Sequence, residues 1–318
     1  MKHVFIFNPK TFYEQQWLMD VIFDDIGQYF RSQEKLDFST HVSRYPREAI
    51  GIIQKQADEA KDGETVRIYA IGGDGILFDC LNGIVGLPNM ELAAVPYGKT
   101  NDFIRAFGEE RTELFKDIPS LVTASSVPTD IISAGNNYAI NGCSVGLVSA
   151  AAVTMRGMNL KLGKFANFFL FHRFLSFLSN LPVVLKKQIN THAYKITIDD
   201  QDYSGNYSIV NIANGPYYDG NKSMAAGAMP DDGLMDVVLF KSIRPLAALW
   251  SMEKYSRGKL PSNCVLVQAK KITVQSVEPV WFQLDGELFQ DTSISFEVIP
   301  GAVQVVAVNG LIYRNSGH

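Results

Sequence analysis

The chain has 318 residues, of which 47% are hydrophobic and 19% are charged, and its formal net charge is −4. This composition excludes a disordered chain, a collagen-like repeat and a small disulfide-stapled protein. The acidic balance provides no global positive field, so nucleic acid is not predicted as a partner. Three widely spaced cysteines, Cys80, Cys143 and Cys264, suit a reducing cytoplasm and lack zinc-binding spacing. At roughly 150 residues per domain, the length predicts two domains.

The first half of the chain alternates between strand and helix patterns. Apolar runs at 4–7, 36–40, 66–71 and 92–95 predict strands, and helical spacing of apolar residues lies between them. Such alternation is typical of an open parallel sheet with helices on both faces.

The pattern changes after Pro128, where runs of strands follow one another. Strands are predicted at 138–146, 193–198, 207–213, 234–240, 264–274, 280–284, 293–298 and 303–308. Helical patterns interrupt them near 163–179 and 245–256. The chain is therefore predicted to hold an α/β domain over 1–128 and a mostly antiparallel β domain over 129–308, with 309–318 packing back on the first.

Two apolar segments have features of targeting or membrane signals. The apolar run at the N-terminus is too short for a signal peptide. Residues 165–185 are rich in phenylalanine, but His172 and Arg173 lie in the middle and Pro182 breaks the end. A spanning helix needs about 20 predominantly apolar residues, so a helix packed in the core, or one touching a membrane surface, is expected instead.

A glycine-rich loop follows the third predicted strand and precedes a helix. Glycines at such a position let the backbone approach a phosphate, and the helix that follows presents free N–H groups to an anion. Asp74 within the loop suits a magnesium or water contact beside the phosphates. A plain turn with Asp74 as a helix cap is the alternative interpretation.

Two further segments carry polar residues suited to catalysis. In the loop 96–103, Thr100 or Asn101 could cap a helix, and Asp102 could share a hydrated Mg²⁺ with Asp74. In the segment 283–288, Asp285 and Glu287 flank a glycine, and a carboxylate so placed could activate a hydroxyl nucleophile. Taken without the other motifs, that segment is better explained as an ordinary Asp-Gly hairpin turn.

Taken together and in this order, the three motifs resemble the diacylglycerol kinase catalytic-domain family, which includes bacterial soluble lipid kinases and sphingosine kinases. The resemblance covers nearly the whole chain. It implies a Rossmann-like nucleotide domain, a C-terminal β-sandwich and an active site between them. It also implies ATP, Mg²⁺ and transfer of the γ-phosphoryl group to the hydroxyl of diacylglycerol or a related lipid.

The resemblance also implies roles for particular residues. Asp285 or Glu287 would accept the hydroxyl proton, and Asp74 and Asp102 would organise the catalytic Mg²⁺. A structural cation would sit on Asp232 and the carbonyls of Met229 and Leu234. The implied nucleotide-binding positions are Asn8, Pro9, Lys10, Thr11, Phe12, Thr40, Gly72, Gly73, Asp74, Gly75, Ile76, Lys99 and Asn101.

Departures from the family pattern cluster on the nucleotide side. Ile76 and Lys99 replace threonines, Asp79 replaces a glutamate, and Phe12 stands where glycine is expected and would crowd a phosphate. Lys99 could still bind phosphate as a point charge. Two alternatives therefore stay open: a catalytically silent relative that binds nucleotide or lipid, and a kinase for a soluble alcohol such as NAD.

The resemblance sets expectations for location and partners as well. It implies a cytoplasmic protein whose lipid substrate lies at the membrane surface, with peripheral contact at the inner face rather than integral insertion. It allows a homodimer.

Overall fold

A computed structural model describes residues 1–33, 36–146, 149, 192–220, 222–225, 227–241 and 245–314. The helix predicted near 163–179 lies outside the described residues. No helix within those ranges is long and apolar enough to cross a membrane.

The first domain is built on parallel strands in the order β2-β1-β3-β4. The strands are β1 (Lys2–Phe7), β2 (Asp37–Val42), β3 (Val66–Gly72) and β4 (Met90–Pro96). The helices are α1 (Gln16–Ser32), α2 (Glu48–Asp58), α3 (Asp74–Ile84) and α4 (Ile118–Thr123), with 3₁₀ helices at Pro9–Phe12, Phe103–Phe107 and Glu109–Lys116. β1 and β3 are buried almost throughout because both faces of a parallel sheet are covered. α1 buries one face, with Met19, Ile22, Ile26 and Phe30 at helical spacing.

The second domain consists of antiparallel strands. They are β5 (Ser125–Ala134), β6 (Asn137–Ala139), β7 (Gly142–Gly146), β8 (His192–Ile198), β9 (Gln201–Asp202), β10 (Gly205–Ala213), β11 (Tyr217–Tyr218), β12 (Lys222–Ser223), β13 (Met235–Lys241), β14 (Cys264–Ala269), β15 (Lys271–Leu284) and β16 (Glu287–Ala307). One helix, α5 (Pro245–Ser256), connects β13 to β14, and a 3₁₀ turn at Val308–Gly310 follows β16. The predicted fold class, an α/β domain followed by a β-sandwich-like domain, is confirmed.

The long strand β16 joins the two domains. Its first part pairs with β15, and its last part runs beside β5 and, through Gln304 and Val305, parallel to β4. Residues 303–308 consequently lie in the core of the first domain, whereas the sequence interpretation assigned them to the second. Apolar alternation predicts a strand but cannot indicate which sheet the strand joins. β5 was not predicted because Pro128 lies inside it, and a proline within a run argues against a strand.

The end of the described chain returns to the first domain. The Tyr313 hydroxyl lies 2.5 Å from the Thr129 hydroxyl, and its ring lies 4.4 Å from that of Phe107. The Arg314 N–H donates to the Ala106 carbonyl at 2.8 Å. The chain thus closes the first domain with a buried aromatic residue.

Candidate active site

The glycine-rich loop and the loop after β4 are joined at Asp74. Asp74 is the first residue of α3, and its carboxylate accepts a hydrogen bond from the Thr100 hydroxyl at 2.5 Å. The other carboxylate oxygen accepts the N–H of Asp102 at 2.8 Å. The two predicted motifs are therefore adjacent, and a direct hydrogen bond links Asp74 to the backbone of Asp102.

Glycines permit this approach of the two loops. A Cβ added at Gly98 would lie 2.3 Å from the Gly73 Cα, which no side chain could tolerate. The amide of Asn101 holds Gly98 on both sides, accepting from its N–H at 3.0 Å and donating to its carbonyl at 2.9 Å. Asn101 therefore shapes the loop rather than projecting into open space.

The Asp102 carboxylate reaches across to the second domain. It accepts the N–H groups of Asp219 and Gly220 at 2.8 and 2.7 Å. Loss of solvation and the neighbouring Asp74 carboxylate raise the pKa of Asp102 to about 7, although the two N–H donors oppose the shift. Asp102 thus connects the glycine-rich loop to the hairpin formed by β11 and β12.

Asp285 occupies a tight turn between β15 and β16. Its φ of 45° and the φ of 88° at Gly286 are those of the Asp-Gly hairpin turn that the sequence allowed. The side chain also has a specific setting, because its carboxylate accepts three backbone N–H groups at 2.7–3.1 Å, from Ile140, Asn141 and Gly142. The strand predicted at 138–146 is divided into β6, which pairs with β5, and β7, which pairs with β10 and β15.

The electrostatic environment of Asp285 resembles that of Asp102. Burial and the Asp74 carboxylate raise the pKa of Asp285 to about 7, while the three N–H donors lower it. Asp74 therefore raises the pKa of both carboxyl groups. The three residues come from different segments: Asp74 bonds to the backbone of Asp102, and the link from Asp74 to Asp285 is electrostatic.

A cavity of about 300 Å³ is lined by Gly75 and Glu287, which neighbour Asp74 and Asp285 in the sequence. The turn after β1, the loop between β2 and α2, the start of α3 and the Asp-Gly-Glu hairpin line it. Among the predicted site residues, Asn8, Lys10, Gly75, Ile76 and Glu287 lie in its wall. Asn8 also caps the 3₁₀ turn that holds Pro9 and Thr11, accepting the N–H of Lys10 at 3.1 Å.

The other predicted nucleotide positions do not line this cavity, and four of them line a separate, smaller pocket: Gly72, Gly73, Asp74 and Asn101. Thr40 is inside β2, opposite Phe5, because β2 continues to Val42; Ser43 is the first residue after the strand and lines the cavity instead. Lys99 is exposed and does not line the cavity. The Phe12 side chain is only 2% exposed, with its ring 5.6 Å from that of Tyr97. The Phe12 side chain thus packs in the core, and that it crowds a phosphate stays a prediction.

Sequence reasoning also missed cationic residues of the cavity wall. Arg44 and Arg47 belong to the loop between β2 and α2 and line the cavity together with Tyr45. No motif points to them. The left-handed φ of 70° at Arg47, a backbone feature that the sequence does not reveal, distinguishes that position.

Buried Asp130 holds the loop around Asp232, which is predicted to bind a structural cation. The Asp232 carboxylate accepts the Leu234 N–H at 2.9 Å, and the buried Asp130 accepts the N–H groups of Gly233 and Gly301 at 2.6 and 2.7 Å. Burial and the nearby Asp130 and Asp231 carboxylates raise the pKa of Asp232. This excess of negative charge, beside the Met229 carbonyl position, fits a hard cation.

The donor atoms at the main cluster also fit Mg²⁺, provided that the ion keeps its water. Within the described residues no three His, Cys, Asp or Glu side chains converge closely enough to hold a metal directly. Mg²⁺ characteristically retains several waters and binds through one or two carboxylates. Asp74 and Asp102, linked by one hydrogen bond, suit such a hydrated ion.

A glycine-rich loop at the end of a parallel strand, carboxylates from two domains and an adjoining cavity define a two-domain phosphotransferase-like fold. The model of the diacylglycerol kinase catalytic domain matches residues 2–134, and that of the YegS C-terminal NAD kinase beta sandwich-like domain matches residues 168–307. The chain therefore carries a segment that matches the diacylglycerol kinase catalytic domain, followed by one that matches the YegS C-terminal domain.

Individual relatives agree with this assignment. A Staphylococcus aureus (strain MRSA252) protein named "Putative lipid kinase" is 26% identical over 263 residues, covering 81% of each chain. A second one, from strain JH9, is 26% identical over 281 residues, covering 85% of this chain and 88% of the relative. The crystal structure of a "putative diacylglycerol kinase" from Bacillus anthracis str. Sterne superimposes with a TM-score of 0.75 at 23% identity, covering 98% of this chain and 96% of that one. At that identity the similarity supports the fold alone.

Proposed function

We propose that this protein transfers the γ-phosphoryl group of ATP to the hydroxyl of diacylglycerol or a related lipid at the membrane surface. One observation carries the proposal: the cavity wall contains Gly75 and Glu287, the sequence neighbours of Asp74 and Asp285, and the Asp74 carboxylate acts electrostatically on both Asp102 and Asp285. A donor in the cavity would place its phosphates beside those carboxylates.

The start of α3 provides the donor site. Gly75 is exposed at the first turn of the helix, where backbone N–H groups have no intrahelical partners. Such a helix terminus favours anions. Lys10, Arg44 and Arg47 line the same cavity and contribute positive charge near the negatively charged donor.

The hairpin that carries Asp285 and Glu287 provides the base. Glu287 lines the cavity, whereas the Asp285 carboxylate is held by three backbone N–H groups. We therefore assign proton acceptance to Glu287 and the positioning of the hairpin to Asp285. General-base catalysis of this kind contributes typically ~10²–10⁴-fold.

Asp74 and Asp102 would hold the hydrated Mg²⁺, and Asp232 with the carbonyls of Met229 and Leu234 would hold the structural cation. A bound Mg²⁺ neutralises the charge that develops on the transferred phosphoryl group. The carboxylates themselves are fixed by the Thr100 hydroxyl and by backbone N–H groups, so they need little rearrangement to receive the ion.

The experiment measures label transfer from γ-labelled ATP with Mg²⁺ to lipids in mixed micelles. The panel holds diacylglycerol, monoacylglycerol, phosphatidylglycerol and sphingosine, with NAD as the soluble acceptor. Glu287→Gln and Asp285→Asn are compared with Glu278→Gln, which neutralises an exposed carboxylate on β15.

Label in a lipid, reduced at least ~100-fold by Glu287→Gln and unchanged by Glu278→Gln, supports the proposal. A larger loss from Asp285→Asn, with Glu287→Gln nearly as active as the wild type, would reassign the base. Label in NAD alone, or in no acceptor with ATP, GTP or CTP as donor, would overturn the lipid kinase proposal. Label in no acceptor would favour a catalytically silent binding protein. The observation that supports this alternative is that Ile76, which has no hydroxyl, lies in the cavity wall.

A further inference from the structure

Arg47 occupies a backbone conformation that its residue type disfavours. Its φ is 70° and its ψ is 0°, in the left-handed region, at the residue that precedes the first turn of α2. Non-glycine residues in this region carry a conformational cost, and such residues cluster at functional sites. The conformation is held by an external contact, because the Arg47 N–H donates to the Asp79 carboxylate at 2.9 Å.

The side chain of Arg47 is fixed as well. Its guanidinium carbon lies 5.0 Å from the centre of the Phe78 ring, and Nη2 donates to the Asn137 side-chain oxygen. Phe78 is 1% exposed, so it offers a rigid surface for the guanidinium. Arg47 is therefore held at its backbone N–H by Asp79, and its guanidinium is held along one face by Phe78 and at one edge by Asn137.

The guanidinium retains unused binding capacity. It carries five N–H donors, and one side-chain hydrogen bond engages it within the described part of the chain. It forms no ion pair with any described carboxylate group, and it lies in the wall of the 300 Å³ cavity. Lys10 and Arg44 line the same cavity but are exposed, whereas Arg47 is half-buried.

From this arrangement we infer that Arg47 binds the phosphate chain of the nucleotide donor. The inference deepens the proposed function and rests on it. Ile76 lines the same cavity and has no hydroxyl to offer a phosphate. The sequence suggested that Lys99 supplies the replacement contact, but Lys99 does not line the cavity. A guanidinium binds phosphate through charge-assisted and frequently bidentate hydrogen bonds, so Arg47 is well suited to this contact.

The test is calorimetric titration of the full chain with MgATP, sodium tripolyphosphate and adenosine. Arg47→Gly removes the guanidinium. Glycine adopts a positive φ without strain, so the hydrogen bond from the backbone N–H to the Asp79 carboxylate can persist. Arg47→Lys keeps the charge without the bidentate geometry. Arg257→Gly, which removes an exposed arginine that does not line the cavity, is the matched control. Thermal unfolding of each variant confirms that it folds.

We expect Arg47→Gly to weaken the binding of MgATP and of tripolyphosphate at least about tenfold, because a charged hydrogen-bond partner is lost. The affinity for adenosine should change less than about twofold, the affinity of Arg47→Lys for MgATP should lie between those of the wild type and Arg47→Gly, and Arg257→Gly should change the affinity for MgATP less than about threefold. The inference is overturned if Arg47→Gly binds MgATP like the wild type, if adenosine binding weakens equally, or if Arg257→Gly reproduces the loss.

The same titrations separate this inference from the proposed function. Normal wild-type binding with an unaffected Arg47→Gly variant would overturn the role of Arg47 alone. Binding weakened by Arg47→Gly in a protein that labels no acceptor would retain Arg47 as a nucleotide ligand and overturn the kinase proposal. A wild-type protein that binds neither MgATP nor tripolyphosphate would overturn both.

Discussion

Asn82 holds Tyr138 through both backbone groups of that residue. The Asn82 amide donates to the Tyr138 carbonyl and accepts from the Tyr138 N–H, each at 2.9 Å. Asn82 lies on α3, the helix that begins at Asp74, and Tyr138 shortly precedes the N–H groups that hold Asp285. One rigid helix therefore sets the distance between the glycine-rich loop and the Asp-Gly-Glu hairpin.

Asn82→Ala should lower kcat by about tenfold or more while leaving the KM for ATP nearly unchanged. The substitution removes the two hydrogen bonds to Tyr138 and releases the segment that orients Asp285, and small misplacements of this kind are costly to catalysis. Steady-state kinetics with the lipid acceptor measures the effect. Gln28→Ala on the exposed face of α1 is the control. A rise in the KM for ATP with normal kcat would contradict the positioning role.

Gly98→Ala should destabilise the protein by about 1–3 kcal/mol or more and abolish activity. The added methyl group would collide with the Gly73 Cα and force the two loops apart. Gly51→Ala is the opposite case, because it lies on the exposed side of α2 with nothing within 4 Å of the added Cβ. That substitution should stabilise by about 0.5–1 kcal/mol. Chemical denaturation measures both values, and equal effects would refute the close-approach explanation.

Asp102→Asn should reduce the loss of stability that occurs between about pH 4 and pH 7. The pKa of Asp102 is raised to about 7 in the folded protein, whereas an unfolded aspartate titrates near 4. The folded state therefore holds the proton more tightly in this window, and stability falls as the pH rises through it. The measurement is the Tm difference between pH 5 and pH 8, which should be larger for the wild type than for the variant.

Mg²⁺ provides a second test of that carboxylate. Because the ion binds the ionised form, it should raise the Tm of the wild type at pH 8 more than at pH 5. Burial lowers the pKa of His3 to about 4, which gives the opposite pH dependence below about 6.5. That contribution is common to both proteins and cancels in the comparison. Identical pH and Mg²⁺ responses in wild type and Asp102→Asn would exclude Asp102 as the group involved.

Tyr313→Ala should destabilise the protein by about 3–5 kcal/mol, the range for large aromatic residues removed from a core. Its ring packs on Phe107 and its hydroxyl bonds to Thr129, so the first domain depends on the end of the chain. The adjacent Ile312 is 69% exposed, and Ile312→Ala should change stability by less than about 0.5 kcal/mol. Urea denaturation compares the two, and a small effect at Tyr313 would show that the returning segment adds little.

Much of this architecture could be predicted because it follows from local sequence patterns. The strand and helix alternation of the first domain, with the glycine-rich loop directly after β3, follows from apolar spacing and from where glycine and proline fall. The predicted strand ends were wrong by a few residues. That small error placed Thr40 at the cavity, where the structure has Ser43.

Sequence patterns were sufficient to predict the fold class, the order of the motifs and the candidate carboxylates Asp74, Asp102 and Asp285. The arrangement of these groups depends on contacts between distant segments: three N–H groups of a distant segment hold Asp285, Asp102 reaches the hairpin of the second domain, and β16 completes the first domain's sheet. The burial of Phe12 in the core and the position of Arg47 in the cavity wall depend on such contacts as well. The physical reason is that periodicity and turn chemistry are properties of neighbouring residues, whereas pairing partners, burial and electrostatic coupling depend on residues far apart in the chain.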